Sequence, residues 1–499
     1  MYVTDVSEWR VGRLFLPHTL RKHAQLAKAP RKAPILSPKH SRETGGDLMY
    51  TETIAAFSGG SLPAAIGVVR ISGPLAGAIG DRMFVPNAGK PITQCENYKL
   101  YYGKLLNKDE KTLDFCMAVF FRGPRSYTGE DMLELYCHGS RAVVEAALRR
   151  AYTLGARPAQ AGEFTKRAFL AGKLDLARAE AVADLIDARS EREAVNAAMQ
   201  LDGALSREVI VLRDALTTMT AHFYAVCDYP DEEIDPFAYD RARETLRAAV
   251  DRLRFLQAGF ERASVLREGV PVAVVGRPNA GKSSLFNALS GGEHAIVTEE
   301  AGTTRDVLER LVSLGGGLVR LLDTAGIREA ESKAERIGVD RALSAAHAAR
   351  AVVCVFDASQ PLSDDDRRAI AESEGAQRCA VLNKSDLPAV LSARELPHFD
   401  KVFTLSAQTG EGMQPLLDWL AALVPHEEEA LVTSPRQAAL LQSAADDLAA
   451  AAQSAVLGMT ADAFLADVER AARTLGEITG DTASPDLAAA IFSRFCVGK

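Results

Sequence analysis

The chain has 499 residues, of which 47% are hydrophobic, 25% charged and 6% aromatic. This length exceeds one compact core, so we expect two to four domains of an ordinary soluble globular protein. Its 66 acidic residues outnumber its 58 basic ones, which argues against attraction of the whole surface to nucleic acid or anionic membranes. No apolar run reaches the roughly 18 residues that a membrane helix needs.

The thiols and the N-terminal segment bear on where the protein works. The seven cysteines form no CxxC pair, so we expect reduced thiols in a cytosolic protein. Residues 1–48 carry nine Lys or Arg against four Asp or Glu, and their prolines interrupt any long helix. Three interpretations stay open: a disordered extension, a start codon chosen upstream of Met49, or an organelle transit segment that would direct the protein to mitochondria.

The next part of the chain changes from strands to helices. Runs rich in β-formers at residues 66–71, 115–121 and 133–136 predict a small α+β domain, with a helix from Ala142. Residues 159–229 lack proline and carry apolar residues at helical spacing, which predicts bundle packing for Leu205, Val209, Leu212, Leu216, Met219, Phe223 and Val226. A second amphipathic helix follows Pro236, with Leu246, Val250, Leu253 and Phe260 on its apolar face.

The remainder predicts a domain inserted into the helices. Residues 270–424 alternate strands with helices, which is typical of a parallel sheet, and residues 436–484 return to alanine-rich helix. We therefore expect a multidomain α+β and α/β fold in which the two connections of the insert lie close together. The predicted limits are 1–48 for the extension, 49–170 for the α+β domain, 171–268 with 428–499 for a discontinuous helical domain, and 269–427 for the insert.

Residues 276–283 form the motif G-x-x-x-x-G-K-S between a buried strand and a helix. Glycines let backbone amides surround phosphate groups, and the dipole of the following helix favours an anion. Lys282 can reach the β- and γ-phosphates, and the Ser283 hydroxyl can bind Mg²⁺. The motif predicts a P-loop nucleotide site with a Ras-like fold.

Three further motifs follow in the order that a GTPase requires. Thr304 can give Mg²⁺ a second hydroxyl ligand, Asp323 can hold a water bound to Mg²⁺, and the Gly326 amide can contact the γ-phosphate. The Asp386 carboxylate can accept the hydrogen bonds that guanine donates and adenine does not. The predicted GTP-binding residues are Asn279, Ala280, Gly281, Lys282, Ser283, Ser284, Thr298, Thr303, Thr304, Asp323, Thr324, Ala325, Gly326, Asn383, Lys384, Asp386, Ser406 and Ala407.

The residues alone leave the route of GTP hydrolysis open. Ile327 stands where many GTPases have a glutamine that orients the attacking water. Positive charge at the phosphates can come from Arg305, or from a monovalent cation bound by Asn279 and by loop oxygens of residues 298–303. Three acids can position the water: Glu329, Glu331 and Glu335.

Several segments outside the nucleotide motifs carry a family resemblance. They are residues 69–74, 126–135, 162–169, 173–177 and 495–499, and the GTPase segments 276–284 and 301–306 add to them. From about Thr51 to Lys499, the chain resembles the MnmE (TrmE) family of tRNA-modification GTPases.

The resemblance implies a function and partners. Members of this family are GTP hydrolases stimulated by K⁺, and they form a heterotetramer with the flavin-dependent MnmG (GidA) subunit, which carries FAD. Together these subunits add an aminomethyl or carboxymethylaminomethyl group to C5 of the wobble uridine of certain tRNAs. A tetrahydrofolate derivative, 5-formyl or 5,10-methylene, is the one-carbon donor. The α+β domain is implied to bind folate and to form a homodimer.

The resemblance also implies roles for individual residues. The implied K⁺ ligands are Asn279, Thr298, Glu300 through its carbonyl, and Thr303. The implied water-orienting acid is Glu335. The implied folate contacts are Arg70, Glu134, Lys173 and Lys499, because cations suit the anionic groups of folate and a carboxylate suits its pterin donors. Cys496 is either a catalytic thiol or a small buried residue.

One loop departs from the family, and one alternative function remains. Residues 58–65 lack the arginine of the family's Pro-Pro-Gly-Arg-Gly-Gly stretch. The alternative is a ribosome-assembly or other nucleic-acid-binding switch GTPase without modification chemistry. That alternative explains the GTPase motifs but not Arg70, Glu134 and the C-terminal segment.

Overall fold

A computed structural model describes residues 52–229, 231–232, 234–291, 308–323, 349–373, 377–424, 431–456 and 461–498. The first part of the chain forms a seven-stranded sheet whose strands are β1 (Thr53–Phe57), β2 (Ala64–Ser72), β3 (Phe84–Pro86), β4 (Tyr101–Leu106), β5 (Thr112–Phe121), β6 (Met132–Gly139) and β7 (Ala156–Pro158). The spatial order is β3-β4-β5-β6-β2-β1-β7, and only the β1–β7 pair is parallel.

The two faces of this sheet differ because side chains alternate along a strand. One face packs on helices α1 (Ala76–Met83) and α2 (Arg141–Thr153), with Val69, Ile71, Leu133 and Leu135 in the core. The opposite face carries Arg70 directly across from Glu134, and Val68 across from Tyr136. The predicted strands of the α+β domain are therefore confirmed, and their polar residues share one face.

Helices precede and follow the insert in the sequence. They are α3 (Glu163–Leu170), α4 (Leu176–Asp187), α5 (Glu191–Leu201), α6 (Ala204–Asp228), α7 (Tyr239–Glu268), α11 (Pro435–Val456), α12 (Ala461–Thr479) and α13 (Pro485–Phe492). Residues of α4, α6, α7, α11 and α12 share one core, and α13 packs on α4 in a second, smaller cluster. The predicted apolar stripe lies on α6, where Leu205, Val209 and Leu216 are fully buried against residues of α7, α11 and α12. The bundle core is therefore assembled from segments far apart in sequence.

The helical stretch predicted over residues 436–484 is wrong in its extent. The chain forms two helices there, α11 and α12, and the second ends at Thr479. Gly480 has φ +92° and donates its amide to the Gly476 carbonyl, which is how glycine commonly terminates a helix. A high alanine content and the lack of proline indicate helix, but they carry no information about a glycine that ends one.

The insert forms a second, six-stranded sheet. Its strands are β8 (Val270–Val275), β9 (Leu308–Leu314), β10 (Gly317–Asp323), β11 (Ala351–Asp357), β12 (Gln377–Asn383) and β13 (Lys401–Thr404). Its described helices are α8 (Lys282–Ser290), α9 (Asp364–Glu372) and α10 (Gln414–Leu423). The order is β13-β12-β11-β8-β10-β9, and every neighbouring pair is parallel except the β9–β10 hairpin. The expected multidomain α+β and α/β fold class is confirmed.

The chain leaves and rejoins the helical bundle at one place. Arg267, near the end of α7, lies 3.3 Å from the Asp184 carboxylate of α4. Thr433, just before α11, donates its hydroxyl to the other oxygen of the same carboxylate at 2.5 Å. The two connections of the insert therefore lie close together, as the sequence predicts. Among the described residues, we find no helix with the length and apolar character needed to traverse a bilayer.

Candidate functional site

The loop between β8 and α8 has the backbone shape of a phosphate-binding loop. Gly276 and Gly281 have φ of +150° and +94°, in which L side chains are strained. A Cβ on Gly281 would overlap the Asn383 amide, and one on Gly276 would overlap the Val355 carbonyl. Because α8 begins at Lys282, its unpaired N-terminal amides lie at this loop, where an anion is favoured.

The residues predicted to contact phosphates and cations differ in exposure. The Lys282 ammonium is buried and donates to the carbonyls of Gly276 and Arg277, each at 2.8 Å. Ser283 and Asn279 are exposed, and Asn279 has φ +61°. The Ser283 hydroxyl and the Asn279 amide can therefore reach a ligand, and the chemistry of both groups fits the predicted Mg²⁺ and K⁺ roles.

Asn383 joins three loops of the site. Its Nδ2 donates to the Ala280 carbonyl of the phosphate loop at 3.0 Å, and its Oδ1 accepts from the Ala407 amide at 3.0 Å. Asp386, three residues further on, is exposed, whereas Ser406 is fully buried. The phosphate loop and the two loops predicted to bind guanine are thus held together at the carboxyl edge of the sheet, where open α/β folds bind ligands.

Part of the predicted site lies outside the described residues. This holds for Thr298, Glu300, Thr303, Thr304, Thr324, Ala325, Gly326, Glu335 and Lys499, and for the side chain of Asp323. Arg305, Ile327, Glu329 and Glu331 also lie there. The predictions on Mg²⁺, on K⁺ and on the water-orienting acid therefore stay predictions for these residues.

On the face of the first sheet opposite α1 and α2, Arg70 and Glu134 form an ion pair. Arg70 Nε donates to Glu134 Oε1 at 2.8 Å, and the Tyr136 hydroxyl donates to Glu134 Oε2 at 2.6 Å. Burial and the Glu134 carboxylate raise the pKa of Tyr136 to about 12. The Arg70 guanidinium lies 5.8 Å from the Tyr127 ring and 5.6 Å from the Phe164 ring. Cation, carboxylate and aromatic faces are the groups expected for an anionic heterocyclic ligand.

The C-terminal segment reaches this cluster. The Gly498 carbonyl accepts from the Ser58 hydroxyl at 2.6 Å and from Arg70 Nη1 at 3.4 Å. The Gly162 amide donates to the Cys496 carbonyl at 3.3 Å. The Cys496 side chain is exposed, so the alternative of a small buried residue is wrong. The loop that lacks the family's arginine thus contacts the C-terminal segment through Ser58.

Besides Arg70 and Glu134, this region contains one residue that the sequence analysis predicted and three that it did not. Lys173 lies in the turn after α3, and its ammonium makes no hydrogen bond or ion pair within the part of the chain that the structure describes. Sequence reasoning missed Tyr136, Tyr127 and Phe164. The two-residue spacing of Glu134 and Tyr136 on one strand was a usable signal for Tyr136. The aromatic contacts had no local signal, because they come from other elements.

Comparison with known proteins decides the family. A model described as "GTP-binding protein TrmE N-terminus" matches residues 53–173, and one described as "MnmE helical domain" matches residues 176–496. A relative named "tRNA modification GTPase MnmE" from Roseiflexus sp. (strain RS-1) is 41% identical over 91% of this chain and 100% of its own length. The chain belongs to the MnmE family.

Further comparisons agree with membership of the MnmE family. A relative of the same printed name from Natranaerobius thermophilus is 38% identical over 90% of this chain and 100% of its own length. Among solved structures, the G domain of the T. maritima FeoB iron transporter covers 31% of this chain and 98% of that chain at 26% identity, with a TM-score of 0.24. That score is too low to add to the fold assignment.

Proposed function

We propose that this member of the MnmE family is a K⁺-stimulated GTPase of tRNA modification. With a flavin-containing partner of the MnmG kind, it would add an aminomethyl or carboxymethylaminomethyl group to C5 of the wobble uridine. The observation that carries the proposal is the pairing of two sites in one chain. Asn383 holds together the phosphate loop and the loops predicted to bind guanine at the carboxyl edge of the second sheet. The Arg70–Glu134 cluster is separate and lies on the first sheet.

GTP chemistry is assigned to the carboxyl edge of the second sheet. Lys282 would exchange its two carbonyl partners for the β- and γ-phosphates, and Ser283 would bind Mg²⁺. The Asn279 oxygen would hold K⁺ against the phosphates and so offset the charge that develops in the transition state. Turnover should be much faster in KCl than in NaCl at equal ionic strength, and equal rates would contradict the K⁺ role.

Folate is assigned to the Arg70–Glu134 cluster on the first sheet. Arg70 would attract an anionic or carbonyl group of a tetrahydrofolate derivative, and Glu134 would accept hydrogen bonds from pterin N–H groups. Calorimetry with 5-formyltetrahydrofolate should show binding to the native protein and its loss in Glu134→Gln. A switch GTPase without modification chemistry would bind no folate, so this titration separates the two candidate functions.

A homodimer is proposed because the same sheet face carries exposed apolar side chains. Ile66, Tyr102, Phe115 and Met117 are 61%, 54%, 49% and 44% exposed, and the Tyr102 and Phe115 rings stack at 6.5 Å. Burial of such a patch is worth roughly 25 cal/mol per Å². Light scattering should give twice the chain mass, and Phe115→Asp should give the monomer.

The acidic chain also bears on how tRNA is held. With a net charge of −8, its overall field repels phosphate groups, so we assign most phosphate contacts to the flavin-carrying partner. The test of the whole function is mass analysis of tRNA nucleosides from a strain that lacks this protein. Wobble uridines should lose the C5 group and regain it with the wild-type gene but not with Lys282→Ala. Unchanged nucleosides in the deletion strain would refute the function.

A further inference from the structure

Asp357 is a buried acid beside the nucleotide site that none of the predicted GTPase motifs contains. It is the last residue of β11 and is only 5% exposed. β11 lies between β8 and β12. β8 leads into the phosphate loop, and β12 leads into the guanine loop, by which we mean residues 383–386, predicted to bind guanine. The register pairs Asp357 with Asn383. The carboxylate therefore lies between the two loops that are expected to hold opposite ends of a nucleotide.

Both oxygens of the Asp357 carboxylate are occupied. Oδ2 accepts from the Lys384 ammonium at 2.7 Å and lies 3.9 Å from Nη2 of Arg277 in the phosphate loop. Oδ1 accepts from the Ser359 amide at 3.0 Å and from the Ser359 hydroxyl at 2.6 Å. Burial favours the neutral acid, but the hydrogen bonds from Lys384 and Ser359 outweigh it and lower the pKa of Asp357. Asp357 is thus an anion bound by one cation and approached by a second.

The ion pair between Asp357 and Lys384 holds the guanine loop in an uncommon backbone conformation. Lys384 has φ +66°, which non-glycine residues seldom adopt, and it stands between Asn383 and Asp386. Asn383 is already attached to the phosphate loop and to Ala407. The bond from Lys384 to Asp357 therefore adds a second attachment, on the side of the loop that leads toward Asp386.

We propose that Asp357 is a positioning residue for guanine nucleotides, which acts by holding Lys384 so that Asp386 faces the base before the nucleotide arrives. This inference rests on the proposed GTP site. A loop that is already in its bound conformation loses less entropy when the ligand binds, so affinity rises without a new contact to the ligand. Asp357 itself touches neither the base nor the phosphates in this arrangement.

A change at Asp357 should weaken nucleotide binding and leave kcat nearly unchanged. Asp357→Asn keeps the side-chain size but removes the charge that holds the Lys384 ammonium. The strength of a hydrogen bond between charged groups sets an upper limit of about ten- to hundredfold on the expected loss of affinity for GDP. At saturating GTP, kcat should stay within about threefold of the wild type, because the reacting groups are unchanged. Affinity for inosine diphosphate, which lacks the 2-amino group that Asp386 binds, should fall less than affinity for GDP.

The test is calorimetric titration of the full chain with GDP and with inosine diphosphate. It compares the wild type, Asp357→Asn, Lys384→Met and the double variant. If Asp357 acts through Lys384, Asp357→Asn has no further effect on GDP affinity once Lys384 is changed. Asp365→Asn is the matched control, because Asp365 is half-exposed and its ion pair is with Arg368 at 3.6 Å. It should bind GDP as the wild type does.

The outcomes distinguish failure of the positioning role from failure of the proposed GTP site. Wild-type affinity in Asp357→Asn, or additive effects in the double variant, would overturn the positioning role while leaving the GTP site intact. A wild-type chain that binds no GDP would instead refute the proposed function. Should Asp357→Asn fail to fold, Ser359→Ala tests the same idea, since it removes the hydroxyl that orients Asp357. It should weaken GDP binding by about threefold, and wild-type affinity there would also count against the proposal.

Discussion

Arg167 joins two of the sequence segments that carry the family resemblance. It is 2% exposed, and its guanidinium lies 2.9 Å from Glu130 and 2.9 Å from Glu163. Glu163 also pairs with Arg157 at 2.7 Å, and Glu130 accepts from the Ser72 hydroxyl at 2.8 Å. Residues 126–135 and 162–169 are therefore joined by a buried ionic network beside the Arg70 cluster.

Removing Arg167 should destabilise the protein strongly. Arg167→Ala leaves two carboxylates without a buried cation, at a cost of about 3–5 kcal/mol. With roughly 2–4 °C per kcal/mol for a domain of this size, the first thermal transition should fall by about 6–20 °C in differential scanning fluorimetry. Arg149→Ala, which removes an exposed pair with Glu145, is the control and should change little. A small shift for Arg167→Ala would contradict the structural role.

The same network predicts how stability depends on pH. Although burial favours the neutral acid, hydrogen bonds from Arg157 and Arg167 lower the pKa of Glu163 to about 2. Its stabilisation is therefore complete above its ordinary pKa of 4.5 and is lost as pH falls from there toward 2. The difference in unfolding temperature between wild type and Glu163→Gln should be constant from pH 8 to 6 and should shrink below pH 4.5. A difference that grows on acidification would contradict it.

Thiol reactivity should divide the seven cysteines into two classes. Cys227 and Cys496 are exposed, and the other five are buried. Burial raises the pKa of Cys116 to about 12 and that of Cys354 to about 11, so at pH 8 these thiols stay neutral and unreactive. Intact mass after brief maleimide treatment should show two adducts on the native protein and seven after unfolding. Cys496→Ser should leave one adduct on the native chain, and a buried thiol that reacts first would contradict the fold.

Among the elements, the C-terminal segment depends on one glycine. Gly498 has φ +96°, and a Cβ there would overlap the Phe57 carbonyl at the end of β1. Gly498→Ala should therefore detach the segment from Ser58 and Arg70. Carboxypeptidase should then remove residues 495–499 faster than in the wild type, and folate affinity should fall if the segment completes that site. Gly60→Ala is the matched control, because open space surrounds its Cβ position.

Features that depend on neighbouring residues could be predicted from the sequence, whereas contacts between residues far apart in the chain could not. Strand β8 and the phosphate loop were predictable because their patterns lie within a few residues. The contact between Ser58 and Gly498 joins residues 440 apart, and the Asn383–Ala280 bond joins residues 103 apart. Residue spacing carries no signal for such pairs. The family resemblance placed Lys499 and Arg70 near one ligand, but it gave no role to Ser58, Tyr136 or Asp357.

For the whole molecule, the two connections of the GTPase insert meet at one carboxylate. Asp184 of α4 contacts Arg267 before the insert and Thr433 after it. Val432 is fully buried in the helical core, together with Leu246 and Leu253 of α7. The main core of the bundle therefore contains no residue of the insert. Outside the connections, the backbone amide of Arg192 in α5 donates to the Gly316 carbonyl between β9 and β10 at 3.2 Å, and Val265 of α7 packs against the core of the insert. Motion of the insert can reach the bundle through the two adjacent connections and through these contacts.

This arrangement predicts that the insert can be removed without unfolding the remainder. Joining Glu268 to Leu431 through a short Gly-Ser linker should give a chain that unfolds cooperatively and binds 5-formyltetrahydrofolate within about threefold of the full chain. The same chain should bind no GDP in calorimetry. A matched deletion of residues 262–440 cuts into α7 and α11, removes Val432 from the core and should not fold. If the first deletion also fails to fold, the bundle needs the insert for its stability, and the two sites are coupled through packing as well as through the connections at Asp184.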